Sequence, residues 1–258
     1  MGWVAQSLMT SMHPLGDYSI LPALPYKSSV QASGIFWQLM EKYPSFKNEF
    51  KDVKILNTVV TSPYFFITSK KQIKTLEDMN GLKLRVAGGT PTAIMKAVGA
   101  VPMVVSMTDT YMNIQKGVLD GMATPWEALI SFRQYEVVKY YTYYPAYSGY
   151  ILEVMNLDTW NSLPPDVQKA IEGVSGLQGS LQMGKNFYDL SAAAGRDAAK
   201  KGGFPMEEYT PTAAELQRWT DMAKPIWEQW IKDVEAKGYK DARAILNDAL
   251  ELIKTYNP

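Results

Sequence analysis

Between residues 82 and 131 three short apolar runs alternate with three helix-start signals, and this alternation restricts the chain more than any other feature. "LKLRVA" (82–87) sets Leu82, Leu84 and Val86 on one face and Lys83 and Arg85 on the other. That period of two predicts a strand. Gly88 and Gly89 make a turn, Thr90 reads as a helix cap with Pro91 at the first helical position, and Gly99 ends the helix. "VPMVV" (101–105) is the next strand, and Ser106 with Asp109 forms a capping box for a helix that ends near Gly117. "VLDGMA" (118–123) is the third strand, and Thr124, Pro125 and Glu127 repeat the cap, proline and box pattern. Strand, helix, strand at this spacing implies right-handed βαβ units and a parallel sheet.

The rest of the chain fits an α/β fold of one large or two ordinary domains. Residues 28–43 predict a helix capped by Ser28 or Ser29, with Ile35, Phe36 and Leu39 as its apolar side. Two long extended segments, 53–69 broken by Pro63 and 148–156, are candidates to cross between two bodies. They suggest a first body of residues 1–62 plus 151–190 and a second of 63–150 plus 191–258. A helix begins at the prolines of 163–175, a long alanine-rich one covers 177–201, and another covers 212–238 with Pro225 inside and Gly238 as its stop. Trp219, Trp227 and Trp230 lie at helical spacing and read as core.

Composition narrows the chemistry. Lys plus Arg equals Asp plus Glu at 26 each, so no basic surplus points to nucleic acid or an anionic membrane. There is no cysteine, and His13, beside Pro14, is the only histidine. Disulfides and thiolate catalysis are therefore excluded, and no histidine-based triad, metal site or cofactor motif stands out. No apolar run reaches the length of a membrane span.

In an open parallel sheet, ligands bind beyond the carboxyl ends of the strands, where helices aim their N-termini. Arg85 stands there, near the end of its strand and opposite in direction to Leu84 and Val86. A ligand carboxylate would match its planar fork, and a protein carboxylate, Asp120 or Glu127, is the other candidate partner. Trp126, one residue after the proline, either walls the pocket or packs on the sheet. Thr124 and Glu127 share that turn, and Glu127 also has a capping role. From "YYTYYPAYSGY" (140–150), Tyr147, Ser148 and Tyr150 lie nearest the second crossing and are candidates for the cleft. Glu127 would be the leading acid–base candidate if the protein were instead an α/β enzyme acting on a small carboxylate.

"GLKLRVAGG", "YMNIQKGVLDGMATPWEAL", "YEVVKYYT", "VMNLDTWNSLPPDVQKAI" and "PIWEQWIKDVEAKG", in this order, resemble the motif blocks of the substrate-binding proteins of TRAP transporters (tripartite ATP-independent periplasmic transporters). The resemblance covers essentially the whole chain. It implies a two-domain periplasmic binding protein, type II-like, with mixed, mostly parallel sheets, hinge strands and long C-terminal helices. It implies a monomer, not an enzyme, that closes over a small organic acid and delivers it to a sodium-driven membrane permease. The family's anchoring arginine corresponds to Arg85. Many members carry an asparagine in the block where this chain has Ala123 or Thr124, and the "PWEAL" variant suggests a flatter, more aromatic or apolar wall and a monocarboxylate ligand. The family also begins with a strand–helix–strand portion and a signal peptide ahead of the position of Trp3, so an N-terminally shortened chain is expected.

Overall fold

The structure, a computed structural model, describes residues 1–6 and 12–258. Its smaller sheet contains β1 (Gly2–Ala5), β2 (Val53–Val60) and β8 (Tyr150–Asn156), in the order β1–β8–β2 with both pairings antiparallel. Helix α1 (Ser29–Lys42) covers it, followed by the short α2 (Pro44–Asn48). Ser28 caps α1, its Oγ accepting from the Gln31 N–H at 3.0 Å. The helix buries Ile35, Phe36 and Leu39. Ser29 and Ser33 turn toward β2: Ser29 Oγ donates to the Val60 carbonyl, and Ser33 Oγ accepts from Val60 N–H at 2.9 Å. These bonds satisfy backbone groups at the strand end that apolar neighbours would leave unpaired.

The larger sheet holds β3 (Phe65–Thr68), β4 (Lys83–Val86), β5 (Val101–Val104), β6 (Gly121–Thr124), β7 (Tyr140–Thr142) and β9 (Glu207–Tyr209), in the order β5–β4–β6–β3–β7–β9. β4 is parallel to β5 and β6, and β7 to β9, while β3 runs antiparallel to both its neighbours. The crossovers are α3 (Gly89–Ala97) between β4 and β5 and α4 (Met107–Gln115) between β5 and β6, with α5 (Trp126–Ser131) following β6. Ser106 caps α4 as expected, accepting from Asp109 N–H.

Two helix starts differ from the sequence expectation. α3 begins at Gly89, with Gly88 rather than Thr90 at the cap position. Gly88 and Gly89 adopt φ of 107° and 57°, and a left-handed turn that tight lets the helix start earlier. Pro91 still falls in the first turn, where no N–H is needed. Thr124 does not cap α5 either. It is the last residue of β6, paired with Phe65, and Pro125 takes the cap position.

The chain passes twice between the sheets, and the two passages bond to each other. Thr61 N–H donates to the Gly149 carbonyl at 2.8 Å, Tyr64 N–H to Tyr147 at 2.9 Å, and Ala146 N–H to Tyr64 at 3.0 Å. After β8 come α6 (Leu157–Ser162) and α7 (Pro165–Glu172). The single helix expected over 177–201 is instead α8 (Gly176–Met183), a π-helical segment at Gly184–Asp189, and α9 (Ser191–Lys201). Asp189 gives the reason: its carboxylate accepts from the N–H groups of Ser29 at 2.7 Å and Val30 at 3.1 Å, capping α1 from a distance in sequence. The widened turn brings it there.

Helix α10 (Ala213–Ala236) packs on the larger sheet and on the loop at residues 14–22, and α11 (Ala242–Thr255) follows. Trp219 packs edge-on against Phe66 of the larger sheet, and its indole N–H donates to Pro145 at 2.9 Å. Further along, Trp227 donates to Pro22 at 2.8 Å and Trp230 to Pro14 at 3.1 Å. α11 returns to α1, where Gln31 Nε2 donates to the carbonyls of Ile253 at 3.1 Å and Tyr256 at 2.9 Å. Within the segment 191–258, which the sequence reading grouped with the second body, α11 packs on α1. The reason is the buried amide of Gln31, which the apolar pattern of α1 conceals.

Candidate functional site

Arg85 projects from the third position of β4, between Met103 of β5 and Met122 of β6. Leu84 and Val86 enter the core on the other face, so strand alternation alone turns the arginine toward the opposite side. The residue is 9% exposed. Its Nε donates to the Val105 carbonyl at 2.8 Å, which is its one protein hydrogen bond among the described residues. No carboxylate lies within salt-bridge distance of it among those residues. Asp120, a candidate partner, instead accepts from the Lys83 N–H at 2.9 Å. Burial therefore pushes the Arg85 pKa below its ordinary value, opposed in part by the Tyr147 and Tyr64 phenols.

Arg85 lines a cavity of about 490 Å³ that lies between the two sheets. Ala87, Gly88, Gly89, Thr90 and Pro91 enter it from the turn and first residues of α3. Glu127, Ala128, Ser131 and Phe132 contribute from α5 and its end, and Phe187 and Tyr188 from the π-helical segment. Thr61, Tyr64, Tyr147, Gly149 and Tyr150 come from the paired crossings and the start of β8. The Tyr64 and Tyr147 rings pack at 4.6 Å between centroids. Burial raises the phenol pKa of Tyr64, Tyr147, Tyr150 and Tyr188, so all four stay neutral at physiological pH. Among the described residues, Arg85 is the one cationic and Glu127 the one acidic side chain on this wall. No cluster of metal-ligating side chains occurs among the described residues, and no helix there is long and apolar enough to cross a membrane.

Of the residues singled out in the sequence, the structure brings Arg85, Glu127, Tyr147 and Tyr150 to this cavity. It does not bring Thr124, Ser148 or Trp126. Thr124 is fully buried in the ladder, its Oγ1 donating to Pro125 at 3.3 Å. Ser148 is buried with its hydroxyl unpartnered. Trp126 points the other way, stacked on Tyr141 at 5.8 Å and 11° and tilted on Phe65 at 5.0 Å. The Arg196 guanidinium lies 4.7 Å over its ring. That indole lines a smaller hollow on the far side, which shares only Tyr64 and Tyr188 with the main cavity. Sequence reading missed Tyr64, Tyr188, Phe132 and Phe187. The Tyr64 signal was available in its place on the first crossing, opposite Tyr147.

Two sheets joined by paired crossings, with a mostly apolar cavity and a buried cation between them, make the fold of a two-lobed solute-binding protein. The chain belongs to the family described as bacterial extracellular solute-binding protein, family 7, whose model matches residues 32–233. It is similar to a TRAP solute-binding protein of Rhodoferax ferrireducens solved with copurified benzoate, at 29% identity and a TM-score of 0.86, covering 98% of this chain and 78% of that one. A TRAP periplasmic solute-binding protein of Bordetella bronchiseptica with bound (R)- and (S)-mandelate is 27% identical, with a TM-score of 0.85 over 99% of this chain and 80% of that one. The C4-dicarboxylate-binding periplasmic protein DctP of Rhodobacter capsulatus is 27% identical over 218 residues, 81% of this chain and 57% of that protein. The chain spans 48% to 70% of the length of the first curated relatives it matches.

Proposed function

We propose that this chain is an extracytoplasmic receptor for a small organic acid, acting in the periplasm as the soluble component of a TRAP transporter. The observation that carries the reading is Arg85: a buried guanidinium with, among the described residues, one nitrogen bonded to the protein and no carboxylate in range. An unneutralised buried charge is costly, and a ligand carboxylate is the partner that its free nitrogens fit. The two sheets belong to two lobes, the first including α1, β1, β2, β8 and also α11, the second centred on β3–β7. The crossings at 61–64 and 145–149 act as the hinge. Closure over the ligand gives the membrane permease a shape to recognise, and the receptor works as a monomer without cofactor or covalent chemistry.

A monocarboxylate with an apolar or aromatic body is favoured over a C4-dicarboxylate or a sugar acid. Four tyrosine rings surround the cavity, and its single cation provides for one carboxylate. The benzoate and mandelate held by the two similar structures fit that preference, whereas the C4-dicarboxylate relative argues the other way. A thermal-shift screen with benzoate, mandelate, succinate and galacturonate tests it. A larger shift with benzoate or mandelate is expected, and a larger shift with succinate would reverse the preference.

A further inference from the structure

Glu127 is the acidic side chain of the cavity wall, and among the described residues no cation pairs with it. It sits in the first turn of α5 and is half-buried. The Ser131 hydroxyl donates to its Oε1 at 3.4 Å, a long contact that is its one hydrogen bond among the described residues. Oε2 is left without a donor. Glu127 lines the same wall as Tyr64 and Tyr188, and its charge helps to raise both phenols. Tyr64 lines the same cavity as Arg85 and Glu127, and among the described residues those two form no ion pair. An occupant held by its carboxylate at Arg85 would share this cavity with the tyrosine rings and with a carboxylate acceptor.

Building on the carboxylate reading, we infer that Glu127 is a specificity-determining residue that accepts a hydrogen bond from a hydroxyl on the ligand's apolar body and rejects a second carboxylate there. A neutral hydroxyl satisfies Oε2, whereas a carboxylate would set two like charges together in a partly desolvated space. The ligand class this defines is a hydroxylated aromatic or similarly apolar monocarboxylate.

Calorimetric titration of the intact chain with benzoate, 3-hydroxybenzoate, 4-hydroxybenzoate and isophthalate provides the test. Wild type should bind at least one hydroxybenzoate about tenfold tighter than benzoate, the scale of a hydrogen bond to a charged group, and isophthalate most weakly. Glu127→Leu should bring the ratio of hydroxybenzoate to benzoate affinity close to one, whatever it does to benzoate itself. Glu127→Gln, which keeps the shape and one acceptor oxygen, should gain isophthalate affinity by about tenfold as the repulsion is removed. Benzoate binding that requires Arg85, with no hydroxyl advantage in wild type or no change in either Glu127 variant, overturns this inference alone. Failure of all four acids to bind overturns it together with the carboxylate reading.

Discussion

The Nε of Arg85 donates to the carbonyl of Val105 at 2.8 Å, so the guanidinium is fixed by its inner nitrogen and its outer two are left for something else. Val105 directly follows β5, and Arg85 stands one residue before the end of β4. The bond therefore ties the side chain to the carboxyl edge of the neighbouring parallel strand. A rotamer held this way loses less entropy when a ligand arrives than a free arginine would. Preorganisation is thus built into the sheet itself, before any lobe moves.

Trp126 should matter for stability and not for ligand affinity. Its ring is stacked on Tyr141, packed against Phe65 and covered by Arg196, with α9 close behind, where a Cβ on Gly195 would lie 2.6 Å from the indole. Trp126→Ala should cost about 3–5 kcal/mol, as other buried aromatic truncations do, and lower Tm accordingly. Chemical denaturation measures that loss. Calorimetry on the folded fraction should give a Kd for benzoate within about threefold of wild type, since a site outside the cavity behaves independently. A much larger loss of affinity would place the ring in the site after all.

The two positions left open for this ring, pocket wall or packing on the sheet, show where sequence reading stops. The strand alternation that aims Arg85 depends on a period of two, and neither Leu84 nor Val86 leaves room for doubt about the buried face. For Trp126 the outcome depends on where α5 begins. Each residue of a helix turns the side chain by about 100°, so moving the start past Pro125 redirects the indole and brings Glu127 to the cavity. That boundary is decided by the β3–β6 ladder, which holds Thr124 in the strand opposite Phe65. Tyr188 was hidden for a different reason. Its position follows from the π-helical turn that takes Asp189 to the N-terminus of α1, a contact spanning about 160 residues. The packing of α11 on α1 depends on long-range contacts of the same kind.

Stability should fall as pH rises from 5 to 8, because of two half-buried carboxyls, Asp17 and Glu49. Glu49 accepts from the N–H groups of Leu15 at 2.8 Å and Gly16 at 3.2 Å, and Asp17 accepts from Gln6 Nε2 at 2.7 Å. Burial outweighs these bonds and raises Glu49 to about 7 and Asp17 to about 6. The folded state therefore holds protons that the unfolded chain has already released, and its stability declines as pH climbs through both folded values. The expected loss is ~2 kcal/mol between pH 5 and 8, allowing for solvent reaching the carboxyls. Urea denaturation across this range measures it, and Glu49→Gln should flatten the upper part of the profile. A rise in stability toward pH 8 would contradict the burial of the pair.

The most direct test of the account is calorimetric titration of benzoate into wild type, Arg85→Ala and Arg85→Lys. Truncation should remove about 2–5 kcal/mol of binding free energy, enough to abolish measurable affinity, while circular dichroism and Tm show an intact fold. Lysine keeps the charge but loses both the Nε anchor to Val105 and the planar fork, so it should recover only part of the affinity. Benzoate affinity unchanged in Arg85→Ala would contradict the claim that this guanidinium is the carboxylate anchor.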